Sequence, residues 1–338
     1  MRMGKLPETI LKRSVLKQIR TEQNPIEKNA GVGCDAGICV IHGNPQNIAA
    51  TNAVIEGTSH ADLYFGVYRA VNGLWAAGFV PKWMTVTLML PEDFSEQQLR
   101  ACMKELNECC KECQVEVIGG HTQTMAALTT PLVNLHVMGK PYRVGFPLQS
   151  THHKVQAGDA IVMSKYLAFD ATAKWTEEHA EELEKRFYKR FLSEANDLAY
   201  AKLENGTPVA SVEIEAKVAM DADVVAMHDI GQGGIFAALW ELGERELCGI
   251  DVQLKLIPVC QETIELCEFF GKNPYHMKSC GALLMVAHDG EALIRELKAV
   301  GVPAVILGHV TEKKEKVIRN GEEIRYMDLP KADESEIF

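Results

Sequence analysis

Val224-Val225-Ala226-Met227-His228-Asp229-Ile230-Gly231-Gln232-Gly233-Gly234-Ile235-Phe236-Ala237-Ala238-Leu239-Trp240-Glu241-Leu242 is the stretch that decides how the chain is read. An apolar run of strand length meets a His-Asp pair, then a cluster of glycines, then apolar residues at helical spacing, which predicts strand, tight turn and helix. Glycine lets the main chain adopt positive φ and approach a ligand closely. The first turn of the following helix offers unpaired N–H groups at the favourable end of its dipole. The turn is therefore a candidate anion cradle, the alternative being a plain strand-to-helix connection.

Outward from this stretch, the bulk properties bound the class. At 338 residues the chain is too long for one ordinary core and predicts two domains. No apolar run approaches the length of a membrane span, and the start of the chain lacks a signal-peptide pattern, so a cytoplasmic protein is expected. With 46 acidic against 35 basic residues the formal charge is −11, which argues against general affinity for nucleic acid or an anionic membrane. The ten cysteines read as reduced thiols. Cys110-Lys111-Glu112-Cys113 matches C-x-x-C, but no second ligand pair at zinc spacing accompanies it, and buried thiols are the expectation.

Upstream, Glu8 to Ile19 is a candidate amphipathic helix. Gly31-Val32-Gly33-Cys34-Asp35-Ala36-Gly37 leads into the apolar run Ile38 to Ile41. A dinucleotide fingerprint needs the strand before the loop, so that reading is rejected. Asn47 to Glu56 reads as strand and turn, Tyr64 to Ala77 as a helix ended by Pro81, Trp83 to Leu90 as a strand, and Gln97 to Glu112 as a helix capped by Ser95. Gln114 to Ile118 is a strand running into the candidate loop Gly119-Gly120-His121-Thr122-Gln123-Thr124, with Pro131 to Gly139 as the returning strand and His136 as a core histidine. Tyr142 to Val155 is the domain boundary.

Downstream, Ala160 to Met163 is a strand ending at Ser164-Lys165. Glu177 to Arg190 is a solvated helix face, and Ser193 to Leu203 and Val209 to Met220 are helices. Beyond the opening stretch come a strand at Ile250 to Leu256, a helix at Glu262 to Phe270, a strand at Ala282 to Ala287, a helix at Glu291 to Val300 and a strand at Ala304 to Val310. An acidic tail from Lys331 is expected to fray. Strands and helices alternate in both halves, so the fold class is a two-domain α+β and α/β chain: residues 1–150, residues 151–330, and a tail at 331–338.

The ordered set Gly31 to Gly37, Gly119-Gly120-His121-Thr122, Gly158-Asp159, Met227-His228-Asp229, Gly233-Gly234 and Ser279-Cys280-Gly281-Ala282-Leu283 resembles the aminoimidazole ribonucleotide synthase (AIR synthase) superfamily, closest to its HypE-like, AIR synthase-related branch. The resemblance runs from about residue 30 to residue 310. It implies an N-terminal α+β domain whose strands join a partner's in a homodimer β-barrel, and a C-terminal α/β sandwich domain. It also implies ATP with Mg2+, and phosphoryl transfer that activates an oxygen of a small amide, carboxylate or similar acceptor.

Carried over position by position, the resemblance assigns nucleotide contacts to Gly31, Gly33, Asp35, Asn52, Asn72, Gly119, Gly120, Thr122, Gln123, Lys165, Asp170, Thr172, Gly233 and Gly234. It assigns metal to Asp35 and Asp229 and a catalytic, phosphate-orienting role to Asp229; His228 and His121, each at a strand end, are candidate catalytic acids or bases, the alternative being that each imidazole only hydrogen-bonds its loop.

The chain also departs from the family pattern. Asn52, Gly73, Gln123 and Gln232 stand where relatives carry acids, so fewer metal ions are expected, because an amide offers magnesium an oxygen without its charge. The chain closes Glu334-Ser335-Glu336-Ile337-Phe338 without the thiol that carries the carbamoyl-derived group in HypE-type maturation, so that chemistry is not assigned. Three readings stay open: an ATP-dependent enzyme, a divergent homodimer that binds a nucleotide or metabolite without turnover, and a scaffold without a nucleotide site. The nucleotide and a small acceptor are the expected partners.

Overall fold

The computed structural model describes residues 8–19, 26–28, 32–34, 36–39, 47–143, 155–222 and 224–336. The chain divides into two compact units. One comprises Gln23–Asn29 and Asp35–Phe146, and the other Pro147–Phe338 with Met1–Glu22 and Ala30–Cys34. They are called the N-terminal and C-terminal units below. The described chain opens with α1 (Glu8–Ile10), continued by a π-helical turn over Leu11–Val15 and a 3-10 turn over Leu16–Gln18.

The N-terminal unit contains β1 (Ile26–Lys28), β2 (Gly37–Cys39), β3 (Ile48–Glu56), α2 (His60–Ala76), β4 (Phe79–Leu90), α3 (Glu96–Glu112), β5 (Glu116–Thr124) and β6 (Leu132–Pro141). Its six strands lie in the order β1-β2-β3-β6-β4-β5. Both helices begin with a capping box. Ser59 accepts from the Asp62 N–H while Asp62 accepts from the Ser59 N–H, and Ser95 and Gln98 do the same for α3.

Helix α2 is buried along nearly its whole length because it lies on one face of the sheet. Among the described residues of this unit no helix covers the opposite face. Along β3, Ala49 and Ile55 are buried while Ala50, Asn52, Val54 and Glu56 are exposed. Period-two alternation on a one-sided sheet produces this pattern.

Three expectations change here. Pro81 does not end the helix. That helix closes at Ala76, and Pro81 sits inside β4 at a register shift toward β6, an irregularity that accommodates a residue without an N–H. The stretch Gly119 to Thr124 is not a loop: it belongs to β5, which runs parallel to β4 after the α3 crossover. The return through Pro131 is not a hairpin partner of β5 either, since β6 pairs with β3 and β4.

The C-terminal unit holds β7 (Ala160–Ser164), α4 (Phe169–Glu178), α5 (Ala180–Leu183), α6 (Lys189–Ala199), α7 (Glu213–Asp221), β8 (Ala226–Asp229), α8 (Gly234–Arg245), β9 (Gly249–Gln253), α9 (Gln261–Phe270), β10 (Leu283–Ala287), α10 (Gly290–Ala299), β11 (Ala304–Thr311), β12 (Lys316–Asn320) and β13 (Glu323–Tyr326). The sheet order is β13-β12-β9-β11-β7-β10-β8. Strands β7 and β10 are buried at every residue, so both of their faces are covered. Trp175, Leu239, Ile161, Met163, Leu284 and Leu266 share one core. The pair β12–β13 went unread in the sequence, because Lys316 to Tyr326 is charged and its outer strand is exposed throughout. Among the described residues no helix is long and apolar enough to cross a membrane.

Candidate functional site

The Met227–Gly234 stretch is strand, turn and helix as expected. Strand β8 ends at Asp229, and α8 starts at Gly234. Gly233 has φ +86° and Gly234 φ +70°, a conformation that side chains resist. A Cβ on Gly234 would also press on the Tyr275 carbonyl and come within 2.7 Å of the Met277 nitrogen. Helix α8 has no side-chain cap of its own.

Its cap comes from a distant part of the chain. Asp333 Oδ2 accepts from the Gly233 N–H at 2.9 Å and from the Lys278 N–H at 2.8 Å. Asp333 Oδ1 accepts from the Ser335 N–H at 3.0 Å and from the Ser335 hydroxyl. Glu334 Oε2 accepts from the Asn273 N–H at 2.7 Å. The expectation of a frayed tail is thus corrected. Asp333 is 1% exposed and Ser335 is buried, because a carboxylate satisfies backbone donors that would otherwise be left without partners. The Gly233 donor of the cradle is taken by a carboxyl group of the chain itself.

Beneath the cradle, His228 is buried between two carboxylates. Its Nδ1 lies 3.5 Å from Asp229 Oδ1 and its Nε2 3.5 Å from Glu241 Oε2. The first glycine loop meets α8 at the same place. Gly33 has φ +69°, a Cβ there would come within 2.6 Å of the Glu241 carbonyl oxygen, and Arg245 donates to the carbonyls of Gly33 and Met227. Gly33, His228, Asp229, Gly233 and Gly234 therefore gather around one strand–helix junction. Gly31 and Asp35 lie outside the described residues.

Lys165 is placed differently. It adopts φ +55°, and its ammonium is held 2.6 Å from Glu215 and donates to the Ser211 carbonyl, with both side chains of the ion pair essentially inaccessible. Ser164 donates to the same Glu215 oxygen. Thr172, also buried, donates to the Ala168 carbonyl and shares a 2.8 Å hydrogen bond with Thr263, joining α4 to α9. Asp170 is buried in the first turn of α4.

The remaining candidates lie in the N-terminal unit. On its sheet, Asn52 pairs with His136, His136 with Thr85, and Thr85 with Gly119 across four strands; the next row carries Asn134, Thr87 and His121. His121 Nε2 lies 3.2 Å from Gln123 Oε1, and Asn134 Nδ2 lies 3.0 Å from His136 Nε2. His136 is thus exposed on a polar row, not a core histidine. Gly120 and Thr122 alternate with these residues along β5, and Asn72 is buried within α2.

Sequence reasoning missed Asp333, Glu241, Arg245 and Glu215. Glu241 and Arg245 carried a signal. They continue the buried face of α8 that begins at Gly234 and Ala238, and a charge on such a face needs a partner. Asp333 carried none.

The cysteine reading holds. Cys102, Cys109 and Cys110 are buried, and burial pushes their thiols up to about 11, 12 and 11 respectively. Among the described residues no group of three or more His, Cys, Asp or Glu side chains is arranged to hold a metal ion.

Residues 33–140 match the model of the AIR synthase related protein N-terminal domain and residues 156–320 that of its C-terminal domain. The chain belongs to the AIR synthase related family. It is 25% identical to a putative hydrogenase expression/formation protein of Methanocaldococcus jannaschii, across 98% of this chain and 95% of that one. A selenide, water dikinase of the same organism is also 25% identical, over 92% of this chain and 90% of its own. The crystal structure of the hydrogenase maturation protein HypE in complex with ATP superimposes with a TM-score of 0.68 at 15% identity, covering 97% of this chain and 95% of that chain.

Proposed function

We propose that the protein is an ATP-dependent enzyme that transfers a phosphoryl group to an oxygen of a small amide, carboxylate or similar acceptor. The observation that carries this reading is the oxyanion held by the Gly233 and Lys278 N–H groups, since phosphate oxygens use the same donors. The solved HypE–ATP complex and the dikinase relative support nucleotide chemistry on this fold.

In this reading the glycine loop supplies backbone donors and Asp229 orients the acceptor. His228, 4% exposed in its side chain, holds Asp229 and Glu241 in place. Within the N-terminal unit, His121 is proposed as an acid–base residue and Gln123 and Asn52 as nucleotide contacts. Asp35 and Asp229 are the residues that would hold magnesium, whose charge would screen the phosphate oxygens. Exposed Val117 and Ile118 on the edge strand β5 are proposed to lie at a homodimer contact, and sedimentation equilibrium reads whether the dimer forms.

ADP formation measured against a panel of amides and carboxylates tests the activity, because the phosphoryl group itself passes to the acceptor. Acceptor-dependent ADP release that Asp229→Asn abolishes is the expected result. A second reading is favoured by Lys165, whose charge is consumed by Glu215, and by the neutral residues at Asn52, Gly73, Gln123 and Gln232. It is a divergent homodimer that binds a nucleotide or metabolite without turnover. ATP binding with no release against any acceptor selects it.

A further inference from the structure

The tail after β13 is attached in a way that ordinary capping does not need. An N-cap is normally a side chain at the helix start, satisfying donors two or three residues away. Here the capping carboxylate comes from 100 residues further along the chain. Between Met327, which is buried, and Asp333 the chain has no regular structure, and Asp328, Leu329 and Lys331 are exposed. The attachment is concentrated at the end of the strap. Asp333 takes the Gly233 and Lys278 N–H groups, Glu334 takes the Asn273 N–H, and Ser335 folds back onto Asp333.

These bonds are charge-assisted and Asp333 is buried, so the donors are given up only to another acceptor that satisfies them in turn, which water or a ligand oxyanion can do. A tethered occupant also competes at high effective concentration without any external partner.

We propose that residues 328–335 form a displaceable strap, whose Asp333 carboxylate occupies the Gly233–Lys278 donors in place of a phosphate-bearing ligand and must leave for that ligand to bind. The proposal rests on the reading of the glycine loop as the phosphate site. Two features follow. The strap keeps the loop's donors satisfied and its left-handed glycines in shape while no ligand is bound. It also lowers the apparent affinity for the ligand by the fraction of molecules in which it is open.

Hydrogen exchange on the wild-type chain, resolved at single amides, tests the strap without any ligand. The Gly233, Lys278 and Ser335 amides are expected to exchange through a local opening about 100-fold faster than the Leu284–Val286 core of β10. Exchange of all of them at the rate of that core overturns the proposal, since Asp333 is then a fixed cap. ATP titration of wild type and Asp333→Ala forms the second arm, with the variant expected to bind about tenfold more tightly. Equal or weaker binding by a folded variant, where wild type binds, overturns the proposal. If neither chain binds ATP, the nucleotide reading fails, while the exchange measurement still decides whether the strap opens. The wild-type exchange also decides it should the variant not fold.

Discussion

Gly119-Gly120 and Gly233-Gly234 look alike as letters and differ as structures. The first pair lies in an exposed strand paired to β4, at negative φ. Gly120 is needed there because a Cβ would strike the Val86 carbonyl oxygen, whereas a Cβ on Gly119 meets nothing within 4 Å. The second pair sits at positive φ in a turn packed between the 273–278 segment and the strap. One pair of glycines admits a neighbouring strand and the other shapes a cradle. Two adjacent glycines after an apolar run therefore locate a close backbone approach, and only the conformation tells which kind.

Substitutions break this comparison in a graded way. Gly234→Ala is expected to cost the most, more than about 3 kcal/mol, because a positive φ and a collision with backbone atoms act together. Chemical denaturation measures it. Gly120→Ala is next at about 2 kcal/mol, since it meets one carbonyl on an edge strand that can shift.

A smaller effect concerns acid sensitivity of the packed loop. His276, in the segment pressed on Gly234, has its pKa lowered from 6.5 by burial, with Lys331 lowering it further and Glu334, Asp328 and Asp333 acting in the opposite direction. The unfolded chain then binds the extra proton first, so this contribution to stability is complete above the unfolded value and is lost as pH falls toward the folded one. Unfolding free energies measured across that window are expected to drop with acidification in wild type, and less so in His276→Gln. The smallest effect is Gly119→Ala, within about 0.5 kcal/mol of wild type, because the position is open and not left-handed.

The fold was legible in the sequence where periodicity was strong. Helix α3, strand β7 and the β8–α8 junction fall within a residue or two of their expected limits, since apolar spacing and a capping serine mark them. Strand β5 continues past its expected end at Ile118 to Thr124, because glycine reads as a turn when the neighbouring strand that requires it is not visible. Legibility of the candidate site was uneven. His228 and Asp229 lie in a recognisable motif, and the structure brings Gly33 to the same junction. Lys165 was visible as a cation but its buried partner Glu215 was not, because a pair 50 residues apart is set by tertiary packing. Asp333 was least legible of all, as one carboxylate in an acidic tail is indistinguishable from its neighbours until it is seen on a donor.

The C-terminal unit is assembled from both sides of the N-terminal one, since Met1–Glu22 and Ala30–Cys34 cluster with Pro147–Phe338. Glu8 accepts from the Trp240 indole N–H, and Lys316 stacks over that ring at 4.5 Å. This imposes a schedule on synthesis. The Asp35–Phe146 segment has its core residues in hand well before the ribosome reaches α8, whereas the early segments around Glu8 and Gly33 must wait for more than 200 residues of chain. Until then their docking surface does not exist. The segments at the start of the chain therefore cannot find their places until α8 has been made, whereas the unit that interrupts them does not have to wait for it.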